Sequence, residues 1–236
     1  MCGRFTVSIN AEELTEHLIK YYNIDQFTVD IILPKYNVAP GQQVISIIND
    51  GTNNRAGLLR WGFVPCFAKD ESMAFTMINA KSETFIEKAS YVSAFKNNRC
   101  IILANSFFEW KKDEQGKIPM RVLLKDNSIF PMAGIYSTYT RQDGTKLHTC
   151  AIITTQANSL VSSIHDRMPV ILNKEDAKIW LDPKIHDLQY LSRMLVPYES
   201  SNTMIYQVST LVNNAKNDFP ECIINIKLHP ECILKI

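Results

Sequence analysis

The feature that most constrains the fold is a run of short apolar segments between residues 99 and 155. Polar turns such as Asp126-Asn127 and Arg141-Gln142-Asp143-Gly144 separate the segments. The predicted strands are residues 100–104, 107–112, 119–125, 129–138 and 148–155. Because no long helices lie between them, antiparallel hairpins are favoured over βαβ units. The pattern predicts an α+β fold, in which a curled, mainly antiparallel, barrel-like β core carries peripheral helices.

Outside this run, residues 36–41 are predicted as a turn or loop, Asn49-Asp50-Gly51 as a hairpin turn and 186–195 as a helix. Two further helices carry capping signals. Asn10 and Glu13 form a capping-box pattern at the start of a helix over 11–22. Asn173 is the predicted N-cap of a second helix over 174–181. Since no Gly/Ser-rich linker or change of composition divides the chain, we expect one domain.

The predicted domain covers 1–236, with its core over 1–219 and a C-terminal tail over 220–236. A length of 236 residues is ample for one hydrophobic core. The net charge of +1 argues against a histone-like binder, although it allows a local basic groove. We expect a monomer.

Targeting and metal-binding patterns are not found in the sequence. No stretch reaches the roughly 18 apolar residues of a membrane span, and the first residues do not resemble a secretory signal. We therefore expect an intracellular protein without membrane contact. The six cysteines are dispersed and form no C-x-x-C pair, so no structural zinc site and no cofactor are expected.

Cys2 follows Met1 directly, and its chemistry depends on whether Met1 is removed. A terminal cysteine carries an amine and a thiol on adjacent carbons, and a free α-amine has a pKa of about 7.7–8.0. The amine condenses with an aldehyde to an imine, and the thiol then closes a thiazolidine ring. No internal cysteine can react in this way, because its nitrogen belongs to an amide. Taken alone, however, Cys2 is also consistent with an ordinary residue at a frayed terminus.

Three further polar residues are candidates for proton transfer. Glu109 lies in an aromatic strand on the same face as Phe107, and apolar surroundings raise the pKa of a carboxyl group towards that of a general acid. His165 is a natural proton shuttle near neutral pH, and Asn79 can orient a hydroxyl or a carbonyl. Each also has a structural alternative: an exposed strand Glu, a structural His and a turn Asn.

Basic and aromatic residues lie within or beside these stretches. Together they would supply phosphate contacts and stacking surfaces for single-stranded nucleic acid, with scattered surface charge as the alternative. The basic residues are Arg4, Arg60, Lys81, Arg99 and Arg167, and the aromatic ones are Trp61, Phe67 and Trp110.

Several motifs occur in a fixed order along most of the chain. They begin with Met1-Cys2-Gly3-Arg4-Phe5 and continue through residues 36–41, 60–65, 79–84, 107–110, 154–158, 164–170, 180–183 and 208–213. In this order they resemble the SRAP family, the SOS response-associated peptidase-like proteins that process abasic sites.

The resemblance implies a covalent crosslink between the N-terminal Cys2 and the aldehyde of an abasic site in single-stranded DNA. Cys2 would be the nucleophile, and Asn79, Glu109 and His165 would complete the catalytic site. Glu109 would promote opening of the sugar ring, His165 would move protons, and Asn79 would position the sugar or the Cys2 terminus. The family name also implies self-processing that removes Met1.

The resemblance also implies a set of DNA-binding residues. These are Arg4, Pro40, Trp61, Phe67, Lys81, Trp110 and Arg167. The chain departs from the family pattern at Lys81, where Arg is common, and at Phe67, where Trp is common. Lysine lacks the bidentate fork of arginine, so the departure concerns DNA affinity more than the chemistry. Asn105-Ser106 and Phe108 are further departures.

Three functions remain open from the sequence. The first is the abasic-site crosslinker, with reversal or strand-cleaving lyase action through the imine. The second is a cysteine peptidase or amidohydrolase that uses a Cys2 thiolate with His165 as its base. The third is a non-catalytic module that binds single-stranded DNA.

Overall fold

The structure is a computed structural model that describes residues 2–27, 31–84, 87–114 and 116–228. The helices are α1 (Ala11–Tyr22), α2 (Ala89–Asn97), α3 (Lys174–Leu181) and α4 (Leu188–Ser192). The strands are β1 (Phe5–Val7), β2 (Lys35–Val38), β3 (Gln43–Asn49), β4 (Asn54–Trp61), β5 (Asn79–Lys81), β6 (Arg99–Ala104), β7 (Ser106–Asp113), β8 (Gly116–Leu124), β9 (Phe130–Thr140), β10 (Lys146–Gln156), β11 (Arg167–Pro169) and β12 (Thr203–Gln207). Short 3-10 helices cover Ser72–Phe75, Val161–Ser163, Ser200–Asn202, Thr210–Asn213 and Pro220–Ile223.

Five strands close into a barrel. β3 pairs antiparallel with β4 and β6, β6 pairs with β9, and β9 pairs with β10. β10 then pairs in parallel with β4, which closes the ring. β5 and β11 extend β10 beyond the ring. The predicted fold class, a mainly antiparallel, barrel-like core with peripheral helices, is therefore confirmed.

A second sheet has the strand order β12-β8-β7-β1-β2. Its centre pairs β1 with β7, so that Phe5 lies opposite Phe107 and Thr6 lies opposite Ser106. The start of the chain is thereby placed beside the strand that carries Glu109. This pairing joins residues about a hundred positions apart, and the local sequence pattern does not predict it.

The main hydrophobic core contains residues from both sheets, including Cys2, Phe5, Trp61, Phe107 and Ile152. A smaller cluster on the other side of β7 contains Phe108, Val208, Val212 and Cys222. The predicted alternation along β7 is therefore confirmed, since Phe107 and Phe108 belong to different clusters. The boundary at residue 219 stays a prediction, and residues 229–236 lie outside the described residues.

Local signals predicted two helices with their bounds. At α1, the Asn10 side chain accepts from the Glu13 backbone N–H at 2.8 Å, and the Glu13 carboxylate accepts from the Asn10 N–H at 2.9 Å. The helix ends at Asn23, whose φ of 56° is left-handed. α3 begins after Asn173, whose side chain accepts two backbone N–H groups of the first turn.

Two local predictions are wrong. Residues 36–41 were predicted as a loop, but Tyr36–Val38 belongs to β2, because pairing of Val38 with Phe5 satisfies its backbone. The turn itself begins later, at Ala39, and Gly41 has a φ of +89°. The helix predicted over 186–195 is confined to Leu188–Ser192.

None of the helices in the described ranges is long and apolar enough to cross a membrane.

Candidate active site

Cys2 lies in the protein interior at the start of β1. Its side chain is fully buried within the main core, and its Sγ lies 4.0 Å from the Arg4 carbonyl oxygen. Burial raises the pKa of the Cys2 thiol well above its usual range, and the negative charge of Glu109 raises it further. The thiol is therefore protonated at neutral pH, and the Glu109 carboxyl group is close enough to affect its pKa.

Asn79 holds the backbone of Cys2 in place. β5 pairs in parallel with β10, so that Asn79 lies opposite Ile152 in the sheet. The Asn79 Nδ2 donates a hydrogen bond to the Cys2 carbonyl oxygen at 2.8 Å. Its Oδ1 is buried and has no hydrogen-bond partner within the part of the chain that the structure describes. Asn79 therefore has one unused acceptor beside Cys2.

Glu109 is a buried carboxyl group. It is 2% exposed, although it lies only two residues before the exposed end of β7. Burial raises the pKa of Glu109 from 4.5 to about 7, and the negative charge of Asp166 contributes in the same direction. Near neutral pH the side chain therefore exists in both its acidic and its basic form, which suits proton transfer.

His165 faces Glu109 through one ring nitrogen and the loop backbone through the other. Its Nε2 lies 3.8 Å from the Glu109 Oε2, and its Nδ1 accepts a hydrogen bond from the Arg167 N–H at 3.0 Å. Because Nδ1 accepts, the proton of the neutral ring lies on Nε2, on the side of Glu109. Partial burial lowers the pKa of His165, so the neutral ring predominates at neutral pH.

The protonated form of His165 also has a partner. The Asp166 Oδ1 lies 3.0 Å from Nδ1, where it can accept a hydrogen bond from the N–H that Nδ1 carries only in the protonated ring. In that state Nδ1 no longer accepts from the Arg167 N–H, so Asp166 replaces Arg167 as its partner. The four predicted catalytic residues lie together. Asn79 donates a hydrogen bond to Cys2, the charge of Glu109 raises the pKa of the Cys2 thiol, and the His165 ring lies beside the Glu109 carboxyl group.

A basic cleft opens from this cluster to the surface. It consists of two cavities of about 830 and 410 Å³, which share Trp110, Lys112 and His165. The second cavity reaches Glu109. The cationic side chains that line the cleft are Lys81, Lys111, Lys112, Lys117 and Arg167. The cleft therefore combines positive charge and an aromatic ring with a buried carboxyl group at its inner end.

Trp110 is fixed at the cleft by two contacts. Its Nε1 donates a hydrogen bond to the Asn213 Oδ1 at 2.7 Å, and the Arg4 guanidinium lies 5.8 Å from its ring centroid. Arg4 in turn donates to the Asn37 Oδ1 at 2.7 Å and to the Val212 carbonyl at 2.6 Å. Arg4 is thus held among protein groups behind Trp110.

Two other predicted DNA-binding residues are buried. Arg167 is 8% exposed, and its guanidinium donates to the Glu83 carboxylate at 2.7 Å and to the Thr154 carbonyl at 2.6 Å. Trp61 is fully buried and packs against Phe5, with 5.1 Å between ring centroids. Its Nε1 donates to the carbonyl oxygen of Ile78, the residue before Asn79. In this conformation no base can stack on Trp61. The residue instead stabilises the start of β5 from within the core.

The remaining predicted contacts lie nearer the surface. Lys81 is exposed and lines the cleft. Phe67 is 66% exposed in the loop between β4 and β5. Pro40 is half-buried in a turn whose Gly41 N–H donates to the Trp61 carbonyl at 2.7 Å. Neither Phe67 nor Pro40 lines the cleft cavities.

Sequence reasoning missed several residues of the cleft, among them three lysines and an asparagine. Lys111, Lys112 and Lys117 lie at the β7–β8 hairpin, and Asn213 holds Trp110. The signal for the first two was the lysine pair directly after Glu109-Trp110. No local pattern marks Asn213 as a partner of a residue 103 positions earlier.

Within the described residues, no three or more His, Cys, Asp or Glu side chains are grouped in a way that would hold a metal ion.

Comparisons with known proteins find relatives that match most of the chain. A protein from Bacillus subtilis named abasic site processing protein YoqW is 49% identical over 225 residues, which cover 94% of this chain and 99% of that protein. The abasic site processing protein HMCES of Gallus gallus is 33% identical over 227 residues, covering 83% of this chain and 67% of that protein.

The fold has a counterpart among solved structures. A crystal structure of a protein from Bacteroides thetaiotaomicron superimposes with a TM-score of 0.82 over the full length of both chains, at 24% identity. The family model described as SOS response associated peptidase (SRAP) matches residues 1–215. The order of motifs, the matched residues and the similar relatives together establish that the chain belongs to the SRAP family.

Proposed function

We propose that this protein processes abasic sites in single-stranded DNA by forming a covalent bond through Cys2, once Met1 has been removed. The observation that carries the proposal is the cluster of Cys2, Asn79, Glu109 and His165, of which Glu109 and His165 line a basic cleft. The names of the relatives, which are abasic site processing proteins, support the same substrate.

The proposed bond is a thiazolidine. The neutral α-amine of Cys2 adds to the aldehyde carbon of the opened sugar, and loss of one water gives an imine. The Cys2 sulfur then adds to the same carbon, and the thiol proton passes to the imine nitrogen. Carbon–nitrogen and carbon–sulfur bonds form, and the only molecule released is water. The buried, protonated thiol suits this order, because the amine reacts first.

Glu109 is the proposed general acid and base. An abasic sugar is mostly a closed ring, and opening it moves a proton from the ring hydroxyl to the ring oxygen. A carboxyl group with a pKa of about 7 can accept one proton and donate another at neutral pH. His165, 3.8 Å away through Nε2, supplies and removes protons during loss of water and any later reversal. Strand cleavage through the imine would use the same pair.

Asn79 is the proposed positioning residue. Its Nδ2 fixes the Cys2 carbonyl, so that the amine and the thiol are held in a defined orientation. The unused Oδ1 would accept a hydrogen bond from a sugar hydroxyl or from the Cys2 amine. Self-processing that removes Met1 is part of the same proposal and would expose that amine.

The DNA strand is proposed to follow the basic cleft. Lys81, Lys111, Lys112 and Lys117 would contact phosphates, while the face of Trp110 would stack with a base. In this path Arg4 and Arg167 would not contact the DNA directly. Arg4 supports the Trp110 ring, and the backbone N–H of Arg167 orients the His165 ring. The exposed ring of Phe67 is available for a second stacking contact outside the cleft.

A cysteine peptidase mechanism fits the site less well. Such enzymes use a thiolate whose pKa is lowered by a nearby cation or imidazolium. Here both burial and Glu109 raise the pKa of the Cys2 thiol. A thiolate–imidazolium pair is therefore not favoured at this site.

The test is a denaturing gel of the protein with single-stranded DNA that carries one abasic site, run without a reducing agent and beside an intact-mass measurement. We expect a band that withstands heat and detergent, and a protein mass without Met1. DNA with a tetrahydrofuran site, which has no aldehyde, should give no band. An absent band despite a free Cys2 amine would refute the proposal.

Two variants separate the candidate functions. Cys2→Ala should abolish the stable band and leave non-covalent DNA binding in place, whereas a simple binding module would be unaffected. Cys2→Ser keeps an amine that forms an imine but no thiol. A fully stable adduct with Cys2→Ser would count against the thiazolidine.

A further inference from the structure

A second cavity lies between α1, the β8–β9 turn and the start of α3. It has a volume of about 390 Å³ and shares no lining residue with the basic cleft. Small-molecule sites in proteins have volumes of about 300–1,000 Å³ and combine an apolar floor with a few polar groups. The proposed DNA chemistry makes no use of this cavity.

The floor of the cavity is apolar and aromatic. Phe130, Ile171, Leu172 and Ala177 are each at most 5% exposed, and Tyr22 completes the surface. These side chains belong to the main core, so the floor is rigid on the scale of a small ligand. A flat or branched apolar body would bury its surface there.

The rim of the cavity has an excess of positive charge. Lys20 and Lys174 lie against the same ring: their Nζ atoms are 5.3 and 4.6 Å from the Tyr21 centroid. Neither forms an ion pair among the described residues. A third lysine, Lys178, is paired with Glu175 at 3.0 Å.

The remaining charge at the rim is Asp126. Its carboxylate accepts the Ser128 N–H at 3.1 Å, and hydrogen bonds from Ser128 hold its pKa below the usual range. One carboxylate therefore faces the two lysines that have no ion pair, Lys20 and Lys174. The rim is thus electrostatically complementary to a single additional anion.

His17 contributes an unused polar atom. Its Nε2 is buried and has no hydrogen-bond partner within the described part of the chain, and its ring lies 4.7 Å from that of Tyr21. Burial lowers the pKa of His17 to about 4, with Lys174 and Lys20 acting in the same direction. The ring is therefore neutral at pH 7. Buried polar atoms are nearly always paired, so an unpaired one beside a cavity points to a missing partner.

We propose that this cavity binds a small aromatic anion. Its ring would lie on the Phe130–Leu172 floor, its carboxylate or phosphate would lie between Lys20 and Lys174, and a polar atom would pair with the His17 Nε2. The inference is independent of the DNA chemistry, since it uses none of the residues of the basic cleft.

The test is an NMR titration of protein labelled with ¹⁵N-histidine. The probes are 4-hydroxybenzoate, phenyl phosphate and the uncharged 4-hydroxybenzyl alcohol. We expect saturable shifts of the His17 ring resonances with one or both anions, and no comparable shift of His165. The two anions distinguish a carboxylate from a phosphate ligand, and either result supports the proposal.

Charge variants provide the control. Lys20→Gln combined with Lys174→Gln should weaken anion binding by about tenfold or more, whereas the Arg counterparts and Lys146→Gln, outside the cavity, should retain it. Both lysines are exposed, so the variants should fold, which thermal unfolding checks. The proposal is overturned if neither anion shifts His17 saturably up to about 10 mM, or if the uncharged alcohol binds equally well.

Discussion

At the scale of single residues, the environment of Glu109 gives this carboxyl group its chemistry. The sequence places it among aromatic residues, but its 2% exposure is a result of the tertiary fold. Its pKa of about 7 implies that the folded state binds a proton more tightly than the unfolded state does. Deprotonation of Glu109 therefore lowers the free energy of unfolding of the protein.

Glu109→Gln tests this relation between acidity and stability. The contribution of Glu109 to wild-type stability should be largest below about pH 4.5 and should be lost as the pH rises through about 7, because the buried side chain becomes charged. Glutamine does not titrate, so the variant should exceed the wild type by about 1–3 kcal/mol at pH 8.5, with no crosslink formed. Urea unfolding at pH 5 and pH 8.5 measures the difference.

The exposed Glu114→Gln in the β7–β8 turn is the matched control, and its effect should not vary with pH in this way. Equal pH dependence of the wild type and Glu109→Gln would show that the buried carboxyl group is not the source.

At the scale of elements, β7 and the 3-10 helix Thr210–Asn213 build the aromatic wall of the cleft together. β7 turns Glu109 inward and presents Trp110 at the rim. The 3-10 helix supplies the Asn213 acceptor for the indole and the Val212 carbonyl for Arg4. This segment is about a hundred residues from Trp110 in the chain, yet it fixes the orientation of the ring.

Asn213→Ala should therefore weaken DNA binding. Loss of one hydrogen bond to Trp110 should reduce affinity for single-stranded DNA by about 2- to 10-fold. Asn213→Asp keeps an acceptor at the same place and should retain most of the affinity. Fluorescence anisotropy in a Cys2→Ala background, which prevents crosslinking, measures both. Equal losses in the two variants would contradict a role for the acceptor oxygen.

At the scale of the whole molecule, the fold brings Lys81 of β5 into one cleft with the three lysines of the β7–β8 hairpin. The net charge is only +1, yet the cleft gathers four lysines around one opening. Affinity for DNA should then decrease with salt concentration through counterion release, although the net charge of the protein is nearly zero.

The double variant Lys111→Gln with Lys112→Gln measures this local charge. For single strands the salt slope changes by about 0.7 for each phosphate contact, so the slope should fall in magnitude by about 1.4. Lys146→Gln, which does not line the cleft, should leave the slope unchanged. Anisotropy titrations between about 50 and 200 mM salt give the slopes. An unchanged slope in the double variant would exclude both lysines from the phosphate contacts.

The sequence was most informative where the cause is local. The capping box at Asn10 and Glu13 placed the start of α1, and the Asn49-Asp50-Gly51 signal placed the turn between β3 and β4. Glu109, His165, Asn79 and Cys2 were named from residue type and family resemblance, and the fold brings them together. Their catalytic roles stay predictions.

Residue type alone did not reveal exposure. Arg167 and Trp61 are residue types that often contact DNA, but the fold buries both of them. Arg167 is hydrogen-bonded to Glu83 and Thr154, and Trp61 packs against Phe5. Lys111 and Lys112 were overlooked, although they line the cleft.

By itself, the sequence determined the strands between residues 99 and 155, the two capped helices, the family and the identity of the reactive groups, because these depend on local periodicity and residue chemistry. The tertiary structure alone decided which groups meet. The β1–β7 and β5–β10 pairings bring Cys2 to Asn79, 77 positions away, and to the strand that carries Glu109. It also decided the pKa of Glu109, since burial is a property of the packed core and not of neighbouring residues in the chain.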